Sequence, residues 1–212
     1  MPDPIGIASR VAFAAAAVLL LTGPARAEGL AALTGSVTVV VDAEKPLPSR
    51  ALESLKGEMS RLFAPSGVSL AWADRNQAAL GYESQGIVVV RLRGDCRIPD
   101  LPMPPDERGP LAWTHISDGA VLPFSEVSCE KVTRAAQAAL FGGERARREE
   151  LMGRALGRVV AHELVHILLR KKDHEARGLF RKGLTARDLI EEFREDEERG
   201  RIVIEQGGKP SS

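Results

Sequence analysis

Histidine is scarce in this chain: its 212 residues include four histidines, two cysteines, two tryptophans and one tyrosine. Aromatic residues make up 4% of the chain, so a core must be mainly aliphatic. Basic and acidic side chains number 29 each, and this balance gives no indication of nucleic-acid binding, which needs a basic face. The longest apolar run falls short of the about 20 residues that a membrane-spanning helix needs. The length suits one globular domain.

The N-terminus has the form of an export signal. Arg10 precedes the apolar stretch "VAFAAAAVLLLTG", and "ARA" at Ala25 to Ala27 has the small-x-small form of a signal-peptidase site. We expect residues 1–27 to be a signal peptide, with a single catalytic domain over 28–204 and a flexible tail over 205–212. The protein would then be periplasmic or extracellular, with no stable membrane span after cleavage; an uncleaved anchor is the alternative.

Cys96 and Cys129 are the two cysteines. In an oxidising compartment two thiols usually pair, so export predicts a disulfide between them. Two buried free thiols or two metal ligands are the alternatives. A zinc site usually takes closely spaced cysteine pairs, and these two are far apart.

Strand and helix patterns alternate along the first half of the chain. The β-branched run from Ser36 to Asp42 predicts a strand, and two more strands are predicted over 68–74 and 86–94. Apolar residues at helical spacing follow Ser49, a candidate cap, until Pro65. The proline-rich stretch 94–110 reads as a surface loop.

A hairpin and helices are predicted for the second half. The hairpin covers 111–129, with Asp118-Gly119 as its turn, and Pro123 places its second arm at a sheet edge. Helices are expected over 130–141 and 149–170, and from about Thr185, where Thr185 and Asp188 form a capping box. This order predicts one α+β domain with a mixed sheet packed on helices.

The stretch "VVAHELVHILLRKKDH", residues 159–174, contains three of the four histidines. Residues four apart share one helix face, so His162 and His166 can direct two imidazoles at one metal ion. The form H-E-x-x-H supplies two ligands and, in Glu163, a general base. Zinc lowers the pKa of a bound water to about 7, and the carboxylate takes its proton as the water attacks a carbonyl. A catalytic zinc needs a third protein ligand, which His174 can supply after the helix.

The segment "AHELVHILLRKKDHEARGLFR" resembles the zincin metallopeptidases, and is most similar to their metzincin arm and to small secreted bacterial proteins of the same design. The resemblance implies a zincin-like fold: a twisted mixed sheet with an edge strand, packed on helices that include an active-site helix. It implies one zinc ion held by His162, His166 and His174, with Glu163 as general base. Metzincins place a glycine and the third histidine where this chain has Leu169 and Lys172, so His174 comes two residues later.

Two further features bear on this resemblance. Phe180 stands where metzincins place the methionine of a turn beneath the metal. In the gluzincin arm a later glutamate is the third ligand, and Glu192 with Asp196 fits that form. Glu191 or Glu192 therefore stays open as the third ligand, as do Asp173 and Glu175. His115 lies alone in a strand and is not assigned to the site.

The function expected from the sequence is an exported zinc-dependent metallopeptidase that acts on a peptide or protein substrate. A hydrolase of non-peptide amides shares the same carbonyl chemistry. A non-enzymatic zinc-binding domain is the alternative from another class.

Overall fold

The protein is described by a computed structural model over residues 35–75, 86–99, 101, 103–104, 109–140, 145–174, 179 and 181–191. The strands are β1 (Ser36–Ala43), β2 (Ser69–Ala73), β3 (Gly86–Arg93), β4 (Ala112–Ser117) and β5 (Ala120–Ser128). The helices are α1 (Ser49–Phe63), α2 (Cys129–Leu140), α3 (Arg145–Leu169) and α4 (Ala186–Ile190), and a 3-10 turn covers Ala64–Ser66. None of the helices in these ranges is both long and apolar enough to cross a membrane.

The five strands form one sheet in the order β2-β1-β3-β5-β4. β1 pairs in parallel with β2 and β3, β3 pairs in parallel with β5, and β4 is antiparallel to β5. The predicted α+β architecture with a mixed sheet is confirmed at this level. β4 lies at one end of the sheet, after β5, and forms an edge of the described sheet.

The prediction that the second hairpin arm lies at the sheet edge is wrong. β5, which contains Pro123, is paired on both sides, and the first arm β4 is the edge strand. Pro123 is tolerated because pairing with β3 begins only at Phe124, and the register with β4 shifts between Thr114 and Ile116. An irregular position of this kind requires no donor from the proline nitrogen.

The helix boundaries agree with the expected ones to within a few residues, with one difference in capping. α1 begins at Ser49 itself, its N-cap position is Pro48, and no side-chain hydrogen bond caps it. At the other end of the domain, Thr185 and Asp188 make both hydrogen bonds of the predicted capping box. α3 begins at Arg145, before the expected Glu149, because the mixed-charge segment continues the helix.

The predicted disulfide between Cys96 and Cys129 is present. It joins the loop after β3 to the first residue of α2, and the two Cα atoms are 4.7 Å apart. Both cysteines are buried, and because the disulfide consumes both thiols, neither is available as a metal ligand. The expected signal peptide, 1–27, and tail, 205–212, lie outside the described residues.

The core lies between the sheet and the long helices. Leu55, Met59 and Leu62 of α1 are fully buried, as their helical spacing predicts. α3 packs along α1, and most of its second half is buried. The burial holds the histidine-bearing part of α3 in a rigid apolar wall.

Candidate metal centre

α3 presents His162 and His166 on one face, as their spacing predicts. The Nε2 atoms of the two rings are 3.1 Å apart. The chain then reverses: Arg170 adopts a φ of 50°, and the amide of Lys171 donates to the carbonyl of His166. This turn returns His174, whose ring centroid lies 5.2 Å from that of His162 and 4.8 Å from that of His166. The structure thus brings together all three histidines predicted from the sequence.

Hydrogen bonds to backbone carbonyls orient the two helical imidazoles. Nδ1 of His162 is 2.8 Å from the carbonyl oxygen of Leu179, and Nδ1 of His166 is 2.8 Å from that of Lys171. A carbonyl oxygen can only accept, so each Nδ1 donates and each neutral ring directs an Nε2 lone pair inward. Metal-binding histidines are commonly fixed by a second hydrogen bond of this kind.

The donor set fits a metal ion. The ligand atoms of His162, His166 and His174 all lie within 4.8 Å of one another. A tetrahedral ion bound at 2.0–2.1 Å would separate two nitrogens by about 3.3 Å, close to the spacing of the two helical Nε2 atoms. Imidazole groups suit zinc, copper, iron and nickel, so the cluster can hold a metal ion of this class.

The electrostatic environment favours the neutral forms of His162 and His174. Burial lowers the pKa of His162, against a hydrogen bond to Leu179 that raises it. The pKa of His174 is also lowered, by burial first and then by the neighbouring His162 and His166. A metal binds the neutral imidazole, so these shifts keep the rings in the binding form at neutral pH.

Glu163 is buried beside the cluster and is held from the opposite wall. The hydroxyl of Thr114, on the edge strand β4, donates to Oε2 of Glu163 at 2.7 Å. Burial raises the pKa of Glu163, while the hydrogen bond from Thr114 and the charges of His166 and His174 lower it. A carboxylate that is both buried and oriented is a suitable proton acceptor.

The histidines and Glu163 open into a cleft of about 900 Å³. Its walls come from β4, α2, α3 and the segments 171–174 and 181–186. Apolar side chains, including Leu111, Ala135 and Val159, line part of it. The edge strand therefore forms one wall of the space above the histidines.

The other candidate ligands behave differently. The side chain of Glu191 is 54% exposed, and its Oε2 lies 2.5 Å from Nε of Arg187. Glu191 does not join the cluster. Asp173 is exposed and does not join it either. Glu175, Phe180, Glu192 and Asp196 lie outside the described residues. His115 does not line the cleft and instead contacts Trp113, Phe124 and Glu126.

Sequence reasoning missed three partners of the site. Thr114 lies on the face of β4 that meets α3, but a strand pattern does not fix the register of a strand against a helix. The carbonyls of Leu179 and Lys171 carry no side-chain signal. These groups orient Glu163, His162 and His166 respectively.

No protein-family model matches this chain, and no curated protein or solved structure matches it. The resemblance to zincins therefore rests on the motif and its flanks. Any functional assignment must be argued from the geometry of the cleft.

Proposed function

We propose that this protein is an exported zinc-dependent metallopeptidase that hydrolyses peptide bonds. One observation carries the proposal: the Glu163 carboxylate is buried and held by Thr114 beside three converging histidines, at the base of an open cleft. A structural metal site has no need of a buried carboxylate that is not a ligand. Structural zinc sites are also closed by four protein ligands, whereas the described residues supply three to this cluster.

The chain's residues divide the chemistry between them. His162, His166 and His174 would hold zinc, which when bound polarises a carbonyl oxygen and lowers the pKa of water to about 7. The hydroxyl of Thr114 donates a hydrogen bond to Oε2 of Glu163, which leaves Oε1 to accept the proton of the attacking water. The same oxygen can then deliver that proton to the departing amine.

The edge strand favours a peptide over other amides. β4 pairs only with β5 among the described strands, so its outer side can accept an added strand. It also lines the cleft above the histidines and Glu163. An extended peptide paired with β4 would pass directly over the proposed reaction centre.

Metal analysis of the purified mature protein tests the zinc site. We expect about one zinc per chain. His174→Ala should lower the occupancy sharply, while His115→Ala, a histidine outside the cluster, should leave it unchanged. Unchanged zinc in His174→Ala together with loss in Glu192→Ala would place the third ligand on the later glutamate.

The hydrolytic role is tested by Glu163→Gln. Glutamine keeps the side-chain shape and can accept the Thr114 hydrogen bond, but it cannot take a proton. Peptide hydrolysis should fall by about 10²–10⁴-fold, with zinc content and thermal unfolding retained. Glu149→Gln, on the same helix but outside the cleft, is the matched control.

Two results would overturn this proposal. Full activity of Glu163→Gln would exclude the hydrolytic mechanism. A zinc-loaded wild type that cuts no member of a varied peptide library would indicate a non-enzymatic domain, or a hydrolase of non-peptide amides if such compounds are cut instead.

A further inference from the structure

The cleft differs in charge from the molecule as a whole. The chain has equal numbers of basic and acidic side chains, 29 of each. Of the described residues that line the cleft, the acidic group is Glu163, whereas six are basic: Lys131, Arg134, Lys171, Lys172, Arg181 and Lys182. The basic groups come from three separate parts of the chain and meet at one opening.

Two of these basic groups are partly neutralised by neighbours. Arg181 forms an ion pair with Asp188, and Arg134 lies 4.0 Å from Glu130. Neither Asp188 nor Glu130 lines the cleft itself.

Three lysines dominate the opening beside the histidines. Lys171 and Lys172 lie in the turn that returns His174, and Lys182 lies on the segment that follows Leu179. All three are exposed, and no carboxylate in the described part of the chain forms an ion pair with them. Asp173 is exposed between Lys172 and His174 but does not line the cleft, so it offsets this charge only in part.

We propose that the cleft selects acidic peptides, in which aspartate or glutamate side chains flank the bond placed over the histidine cluster. This inference rests on the proposed peptidase function and names its substrate class. A low-dielectric cleft with charges of one sign raises the local concentration of the opposite charge. Carboxylates on an extended peptide bound along β4 would meet Lys171, Lys172 and Lys182, which line the same cleft.

The size of the effect follows from partly exposed charge pairs. Each carboxylate that meets a lysine at the rim should improve kcat/KM by roughly twofold to fivefold. Salt should reduce this gain, because the screening length falls from about 10 Å at 0.1 M to about 3 Å at 1 M salt.

The test compares matched peptide sets with acetylated N-termini and amidated C-termini. One set carries glutamate at several positions, the second carries glutamine at the same positions, and the third carries lysine. Cleavage by the zinc-loaded protein is followed by mass spectrometry at about 0.1 M and about 1 M salt. We expect kcat/KM to rise from the lysine set to the glutamate set, and the difference to shrink at high salt.

Charge-reversal variants test whether the lysines of the cleft cause the preference for acidic peptides. Lys172→Glu and Lys182→Glu should each lower the ratio of glutamate to glutamine cleavage by about tenfold. Arg50→Glu makes the same change of net charge on α1, away from the cleft, and should leave the ratio unchanged. If charge reversal disturbs folding, Lys172→Gln and Lys182→Gln replace these variants. Each should change the logarithm of the cleavage ratio by about half as much.

Measurements of peptide binding distinguish the proposed preference for acidic peptides from the proposed hydrolytic activity. Zinc-loaded Glu163→Gln should bind the glutamate set more tightly than the glutamine set, whether or not the wild type cuts either. Cleavage without a charge preference would leave the peptidase standing and overturn this inference, as would an equal effect of Arg50→Glu.

Discussion

Thr114 holds the carboxylate of Glu163 across the cleft, although the two residues are far apart in the chain. Its hydroxyl donates to Oε2 at 2.7 Å and lies 3.4 Å from the Glu163 carbonyl oxygen. A charged acceptor makes this a strong hydrogen bond, and it fixes which oxygen faces the cleft. In the proposed mechanism Thr114 is therefore a positioning residue, acting through Glu163.

Thr114→Val removes the hydroxyl and keeps the side-chain shape. We expect kcat to fall by roughly tenfold with KM little changed, because the proposed base is misoriented while β4, the proposed peptide-binding strand, is unaltered. Thr114→Ser should restore most of the activity, since it returns the donor. Steady-state kinetics on one peptide measures both constants. Equal losses in the valine and serine variants would contradict the hydrogen-bonding role.

Glu58 and Arg158 form a buried ion pair between α1 and α3. Nε of Arg158 lies 2.6 Å from Oε1 of Glu58, Nη1 of Arg158 donates to the carbonyl of Asp188, and Arg61 also binds Glu58. Burial raises the pKa of Glu58, but hydrogen bonds from Arg61 and the charge of Arg158 outweigh it, so the net pKa is lowered. Burial lowers the pKa of Arg158, which nevertheless stays charged because guanidinium does not titrate in proteins.

Glu58→Gln should lower the free energy of unfolding by about 3 kcal/mol at neutral pH, because it leaves Arg158 buried without its anion. A carboxyl whose pKa is lowered by folding stabilises above its unfolded pKa, about 4.3, and this contribution is lost as pH falls through the folded pKa. The difference in unfolding free energy between the wild type and Glu58→Gln should therefore become smaller at acidic pH. Urea unfolding at several pH values measures it.

Glu53→Gln is the control for this experiment. Glu53 lies on the same helix, is 73% exposed and pairs with Lys56, so its loss should change stability by less than about 1 kcal/mol. A difference in unfolding free energy between wild type and Glu58→Gln that stays constant with pH would show that the effect comes from packing and not from charge.

At the scale of elements, α1 and α3 approach closely because α3 has glycine where the helices touch. A Cβ on Gly153 would lie 2.2 Å from the carbonyl oxygen of Ala51, and one on Gly157 would lie 2.9 Å from that of Leu55. Backbone atoms cannot move aside as a flexible side chain can. The close contact fixes the distance between α3, which carries His162, and α1.

Gly153→Ala should lower the free energy of unfolding by about 1–3 kcal/mol, because the helices must separate to admit the methyl group. Gly57→Ala is the matched control: it lies in α1 with no atom within 4 Å of the added Cβ. That change should stabilise by up to about 1 kcal/mol through helix propensity. Thermal unfolding by circular dichroism compares the two. Stabilisation by both substitutions would contradict the proposed contact.

The parts of the site that sequence could predict are those fixed by local spacing. His162 and His166 meet because they are four apart on one helix, and the Thr185 capping box is equally local. The approach of His174 depends on the positive φ of Arg170, which an arginine does not signal. The edge position predicted from Pro123 is wrong because the irregular register between β4 and β5 depends on both strands. Thr114 was missed because strand-to-helix register is set by packing.

At the scale of the whole molecule, the cleft joins segments that are distant in the sequence. β4, α2, α3 and the segment 181–186 each form part of its wall. The disulfide holds one of these parts: it ties the first residue of α2 to the loop after β3. Lys131 and Arg134 lie within two turns of that bond, so it also fixes the position of one basic wall.

Reduction of this disulfide should lower the free energy of unfolding by about 3–4 kcal/mol, because the unfolded chain regains the freedom of the loop between Cys96 and Cys129. Bound zinc should be retained on reduction with a phosphine, since the proposed ligands are histidines and not thiols. The Cys96→Ser/Cys129→Ser variant should match the reduced protein in stability and be insensitive to the reductant. Denaturant unfolding and metal analysis on the same samples measure both effects. Two alkylatable thiols in native exported protein would contradict the bridge, and loss of zinc on reduction would show that the cleft depends on it.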